Sequence, residues 1–200
     1  MYIIQSVLSW LIITTFINIY LMSFPIPVFR KKAYPANYVI EQSNRIDQQG
    51  AFECAAFSTA YTLRHFGIEA DGMALYKNFP SKTKTGTVYP KGIRTVLQQM
   101  GFQTTYYRGT IDTLKHEVSK GTPVIAFIKV QTDMPHLHFV PVIGYDEHYM
   151  YLAESIERLA NCEATFYNRK VPIQQFKKLW NTRTLYMPLY RNTYLTVRQK

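Results

Sequence analysis

Cysteine is nearly absent from this 200-residue chain: Cys54 and Cys162 are its only two. That is too few for a disulfide-stapled scaffold, and no Cys/His grouping has metal-finger spacing, so no structural metal or other cofactor is expected. Glycine (9) and proline (10) are sparse and follow no period, which excludes collagen-like and solenoid architectures. Acidic side chains are outnumbered, 13 Asp+Glu against 23 Lys+Arg, for a formal net charge of +10. The basic residues are nonetheless scattered, and nowhere do they interleave with stacking aromatics as in a nucleic-acid module, so no nucleic-acid partner is expected. What is plentiful is apolar surface. With 47% hydrophobic and 18% charged residues the chain can bury enough to offset its ordering entropy, and its length fits one domain of ordinary size. Sixteen Tyr and twelve Phe suit a sheet-rich part, where aromatics fit a pleated surface.

Charge is missing altogether before Arg30. The run Tyr2 to Phe24 is apolar on both faces and, at about 20 residues, long enough to cross a bilayer core; Pro25 and Pro27 end it. A cleaved secretory signal is the competing reading, but it calls for a basic start and a small-residue cleavage site. Residues 1–29 are therefore expected to be a single-pass membrane anchor, or failing that a signal, with membrane lipid as partner. Arg30, Lys31 and Lys32 follow, and they would hold the remaining chain on the cytoplasmic side or rest on anionic headgroups. Residues 30–41 read as a basic linker and 42–200 as the folded domain.

Within that domain, Glu53 to Phe66 reads as a helix stopped by Gly67. Shorter helices are expected at Gly72 to Phe79, at Lys91 to Met100 with Gly101 as cap, and at Ile111 to Lys120 with Thr110 as N-cap. The pattern changes at Thr122. Pro123 to Val130, His138 to Tyr145 and Tyr149 to Ala153 are strand-like, and the Asp146-Glu147-His148 turn pairs the last two as a hairpin. Pro172 to Trp180 is expected as a late helix and Thr184 to Tyr190 as a final strand. Helices first and an antiparallel sheet second make an α+β fold.

Four residues in this frame form a chemical pattern. Cys54 sits in the first turn of the strongest helix, where the partial positive charge of the helix N-terminus favours an anionic sulfur. Gln48, six residues earlier, is placed to donate its side-chain amide to an oxyanion forming beside that sulfur, with Gln49 the alternative amide one residue off register. His138 opens a strand and Glu154 ends its hairpin partner, so the two side chains meet across the pair as base and orienter beside the nucleophile. His136 is the nearest rival for the base and Asp146 for the orienter, but Asp146 lies at the far end of the hairpin. Cys162 reads as a small buried hydrophobe.

Gln48, the run Glu53-Cys54-Ala55-Ala56-Phe57, the run His138 to Asp146 and an acidic residue after Tyr151-Leu152-Ala153 together resemble the bacteriocin-processing, double-glycine-leader cysteine peptidase family and its stand-alone relatives. The resemblance covers about Gln42 to Trp180. It implies a papain-like fold, a peptide or protein substrate, Cys54 as nucleophile, His138 as base, Gln48 as oxyanion donor and Glu154 where the family usually has Asp or Asn. No transporter or ATPase sequence follows, so an activity coupled to export is not expected. The expected function is a membrane-associated cysteine peptidase. Acyl or peptidyl transfer through the same acyl-enzyme is the alternative, as is a silent papain-like module that binds peptides at a membrane.

Overall fold

The computed structural model describes residues 2–29, 33–134 and 136–200. The basic cluster Arg30 to Lys32, on which the expected sidedness rested, lies outside the described residues. In chain order the elements are α1 (Tyr2–Tyr20), β1 (Ile26–Pro27), β2 (Tyr38–Val39), α2 (Cys54–His65), α3 (Gly72–Lys77), α4 (Pro90–Gln99), β3 (Phe102–Arg108) and α5 (Ile111–Val118). They continue with β4 (Val124–Lys129), β5 (Leu137–Tyr145), β6 (Tyr149–Leu152), β7 (Arg169–Pro172), α6 (Ile173–Trp180) and β8 (Thr193–Gln199). The strands form one sheet in the order β1-β3-β8-β4-β5-β6-β7, with β2 added alongside β5. Apart from the short parallel β1–β3 pair, neighbours are antiparallel.

Helices cover both faces of that sheet, and β4 shows why. Its residues are buried almost throughout, with Ile125 and Phe127 entering the core that α2 and α4 close, and Val124, Ala126 and Ile128 the core beneath α5 and α6. A strand buried on both faces reads as a continuous apolar run, and alternation then sorts its side chains between two cores. Helix α2 is the central element. Ala55 through Leu63 are buried without a break, which small residues permit: Ser58 donates its hydroxyl to the Phe139 carbonyl of β5 at 2.9 Å. Gly67 and Gly101 follow α2 and α4 with φ of +79° and +90°, the left-handed conformation that ends a helix at little cost only in glycine. Thr110 caps α5 through a reciprocal pair with Thr113.

Three features depart from the sequence reading. Residues 184–190 are irregular and the last strand is β8, Thr193–Gln199, because Pro188 cannot donate to a ladder. The first half is not only helical, since β3 lies in it and pairs with β8 from Phe102↔Gln199 to Arg108↔Thr193. The stretch between the apolar helix and residue 42 supplies two strands: Ile26 pairs with Tyr107 and Tyr38 with Tyr145. Before them, Met22 is buried in the α2/α4 core, and Tyr190 holds Ser23 by accepting its N–H at 2.8 Å and donating to its carbonyl at 2.5 Å.

Candidate active site

Helix α2 and the hairpin β5–β6 converge on one cleft. Cys54 is the first residue of α2, and the preceding Glu53 turns its carboxylate back to accept the N–H groups of Ala51 and Phe52, fixing the loop that leads into the helix. His138, near the start of β5, lines the same cleft as Cys54, whose sulfur helps to hold the ring's charge. Its Nε2 is 2.8 Å from Glu154 Oε1, so Nδ1 is the ring nitrogen left for the thiol. Both His138 and Glu154 are buried, whereas Cys54 is partly open to a cleft of about 560 Å³.

Glu154 is clasped from every side. Oε1 also accepts the Ile156 N–H at 2.8 Å, and Oε2 accepts from Arg169 Nη1 at 2.7 Å. Asn168 grips the Glu154 backbone with both ends of its amide, accepting the N–H at 2.7 Å and donating to the carbonyl at 2.8 Å. Arg169 opens β7 and Asn168 precedes it; the sequence reading assigned no element there, and nothing in the residue order marks either side chain. The charges follow from this packing. Burial alone would discharge the His138 ring, but the Glu154 carboxylate and the Cys54 sulfur outweigh it and hold the ring well above the ordinary histidine range. Burial likewise opposes a charge on Glu154. His138, Arg169 and the Ile156 N–H outweigh it and hold the carboxyl well below the usual carboxylate range. The arrangement is a buried chain of alternating charge, with its cationic end against a sulfur.

The structure thus brings Cys54, His138 and Glu154 together and leaves Gln48 out. Gln48 is exposed and does not line the cleft, whereas Gln49 does. Gln49 Oε1 accepts from the Ser155 hydroxyl at 2.7 Å, its backbone N–H donates to the Ser155 carbonyl at 2.8 Å, and Nε2 donates to the Ala51 carbonyl at 3.3 Å. In an extended segment one residue of shift reverses the side-chain direction, so an amide chosen by spacing alone falls on the wrong face. His136 lies in the loop before β5 and is exposed at the cleft. Asp146 closes the far turn by accepting the N–H groups of His148 at 2.7 Å and Tyr149 at 2.6 Å, and it takes the Tyr151 hydroxyl on its other oxygen. Cys162 is partly buried, with burial pushing its thiol up. Among the described residues no group of His, Cys, Asp and Glu could hold a metal ion.

A cysteine at the start of a buried helix, facing a histidine on an antiparallel sheet, defines the papain-like cysteine peptidases, and this chain is a peptidase of that cysteine class. It belongs to the Peptidase_C39 like family, matched over residues 39–186. Solved structures agree on the fold. The peptidase domain of Streptococcus ComA, a bi-functional ABC transporter, superposes with a TM-score of 0.61 at 13% identity, covering 80% of this chain and 100% of that one. A double glycine motif protease from an AMS/PCAT transporter, solved with a leader peptide, gives 0.53 at 18% identity over 88% of this chain and 98% of its own. Xylellain, a cysteine protease from Xylella fastidiosa, gives 0.54 at 14% identity over 84% and 87%. No curated protein sequence matches.

Proposed function

We propose that this chain is a membrane-associated peptidase that cleaves peptide bonds through Cys54, His138 and Glu154, with Gln49 as oxyanion donor in place of Gln48. The Cys54 proton rests on His138, and the sulfur attacks the peptide carbonyl as a thiolate. The oxyanion is held by the Cys54 backbone N–H, at an open helix N-terminus, and by the Gln49 amide. His138 returns its proton to the leaving amine, takes one from water, and hydroxide attack on the thioester releases the acid and restores the thiol. Glu154 keeps the ring oriented and stabilises its charged form throughout.

The observation that carries this reading is the buried Arg169–Glu154–His138 chain ending at the Cys54 sulfur. A silent module would gain nothing from it, because two buried ion pairs are costly to desolvate and a packed apolar set serves stability as well. A peptide as substrate is supported by the leader peptide bound to the double glycine motif protease of similar fold. Membrane attachment is supported by α1, the one helix among the described residues long and apolar enough to cross a membrane by length and composition. The test is alkylation at pH 6. Cys54 is expected to react at least about tenfold faster than Cys162, and Cys54→Ser to abolish hydrolysis of casein-derived peptides. Equal rates at the two cysteines would overturn the proposal.

A further inference from the structure

Helix α1 does not stand away from the domain. Thr14 and Asn18 are buried on it, Trp10, Ile17 and Leu21 are partly covered, and Met22 is fully enclosed just beyond the helix end. These positions recur at three- and four-residue intervals and so mark one face of the helix from its middle to its C-terminus. Trp10 donates its indole N–H to the Leu185 carbonyl at 3.2 Å, which ties that face to the loop before β8. The polar side chains on it are turned back on the helix itself: Thr14 donates to the Trp10 carbonyl at 2.9 Å and Asn18 to the Thr14 carbonyl at 2.7 Å. The opposite face is left uncovered, with Ile4, Leu8, Leu11, Ile12, Phe16 and Ile19 all exposed.

This packing decides what the helix can do in a bilayer. Only Tyr2 to Ser9 extend beyond the docked part, about 12 Å at 1.5 Å per residue, while the hydrocarbon core is about 30 Å thick. A helix docked this way is too short to cross. It is, however, long and apolar enough along its outer face to lie in the interface, and Phe24, Leu185 and Tyr186 extend the exposed apolar surface beside it.

A second feature lies at the C-terminal end of the same helix. Lys91 and Arg94 of α4 line a recess of about 240 Å³ together with Asn18, Ile19, Ser23 and Phe24. No acidic side chain lines this recess, and neither cation has an ion-pair partner among the described residues. Asn18 is 4% exposed, and its side-chain oxygen is buried without a hydrogen-bond donor. Two cations and an orphaned acceptor, opening onto an apolar helix face, match a glycerophospholipid: phosphate for Lys91 and Arg94, a headgroup hydroxyl for Asn18, acyl chains along α1.

We propose that α1 and this recess form one docking face for an anionic phospholipid bilayer, with α1 lying in the plane of the interface and a lipid headgroup seated between Asn18, Lys91 and Arg94. The proposal deepens the membrane attachment proposed above and rests on it. Met22 lines both the headgroup recess and the catalytic cleft, so a docked enzyme holds its cleft next to the lipid surface.

Two measurements on the full chain test it. In flotation with phosphatidylcholine vesicles and with vesicles enriched in phosphatidylglycerol, Lys91→Glu/Arg94→Glu is expected to lower partitioning into the anionic vesicles by at least about tenfold and to leave neutral vesicles unaffected. Equal loss from both, or none from either, overturns the headgroup site. Spin labels placed one at a time along α1 in a Cys54→Ser/Cys162→Ser background are expected to show depth varying with the helical period, deepest at Leu8, Ile12 and Ile19 and shallow at Thr14. Depth that changes steadily from one end of α1 to the other overturns the in-plane arrangement while membrane attachment stands. A chain that floats with neither vesicle overturns attachment itself.

Discussion

The two ends of the β5–β6 hairpin each carry a carboxylate, and the difference between them shows how surroundings assign a role. At the turn, Asp146 accepts two backbone N–H groups and a tyrosine hydroxyl, and burial is outweighed by those donors so that its carboxyl is held below its usual range. At the open end, Glu154 accepts one backbone N–H and two cationic side chains. Both are well satisfied. Only Glu154 passes its charge to a group that can use it, because His138 stands between it and a sulfur at a cleft. A carboxylate that bonds the backbone shapes a turn; one that bonds a histidine sets that ring's charge.

The largest effect expected is at the oxyanion. Gln49→Ala should lower peptide hydrolysis by about 10²- to 10³-fold while leaving alkylation of Cys54 nearly unchanged, since alkylation forms no oxyanion. Gln48→Ala should do little in either assay, and a reversed pattern would return the role to Gln48. Next is Glu154→Gln, which should slow Cys54 alkylation at pH 6 by at least about tenfold. The same substitution leaves Arg169 buried without a counter-ion, at a cost of about 3–5 kcal/mol in thermal or urea unfolding. Glu154→Gln/Arg169→Gln should recover much of that stability and none of the alkylation rate, which separates the ring's charge from the fold's. Asp146→Asn reverses the pattern: about 1 kcal/mol of stability is lost and Cys54 alkylation is unchanged.

The comparison also has a pH signature. His138 is raised in the folded protein, so its stabilising charge is complete below its ordinary value of 6.5 and is lost as pH climbs through the raised one. Glu154 is depressed, so its contribution is complete above its ordinary 4.5 and is lost as pH falls through the lowered one. Melting temperature should therefore plateau between those ordinary values and fall on either side. Glu154→Gln/Arg169→Gln should flatten the alkaline fall, and Asp146→Asn should keep it.

Much of this site is legible in the residue order, and the exceptions have physical reasons. Cys54, His138 and Glu154 fall where a helix start and a hairpin would bring them, because helix α2 and strands β5 and β6 are strongly patterned and their turn is short. Thr110, Gly67 and Gly101 mark helix ends by local chemistry alone. The choice between Gln48 and its alternative Gln49 is not legible, because spacing cannot fix which side of an extended segment faces the cleft. Arg169 and Asn168 are missed because β7 has only four residues, two of them charged, and its pairing with β6 decides its conformation rather than its own pattern. Two-residue strands such as β1 and β2 carry no period to read. Helix α1 is legible as apolar, but the face packed on the domain mixes Trp10, Ile17 and Leu21 with Thr14 and Asn18, so no stripe sets it apart in the sequence.

The central claim is that Glu154 and Arg169 hold His138 charged beside Cys54. The most direct test is the pH profile of Cys54 alkylation in the intact protein, read by mass analysis against Cys162. The account predicts that at pH 6 Cys54 reacts at least about tenfold faster than Cys162, and that this difference is lost in Glu154→Gln. A Cys54 profile that tracks that of Cys162, in wild type and variant alike, would contradict it.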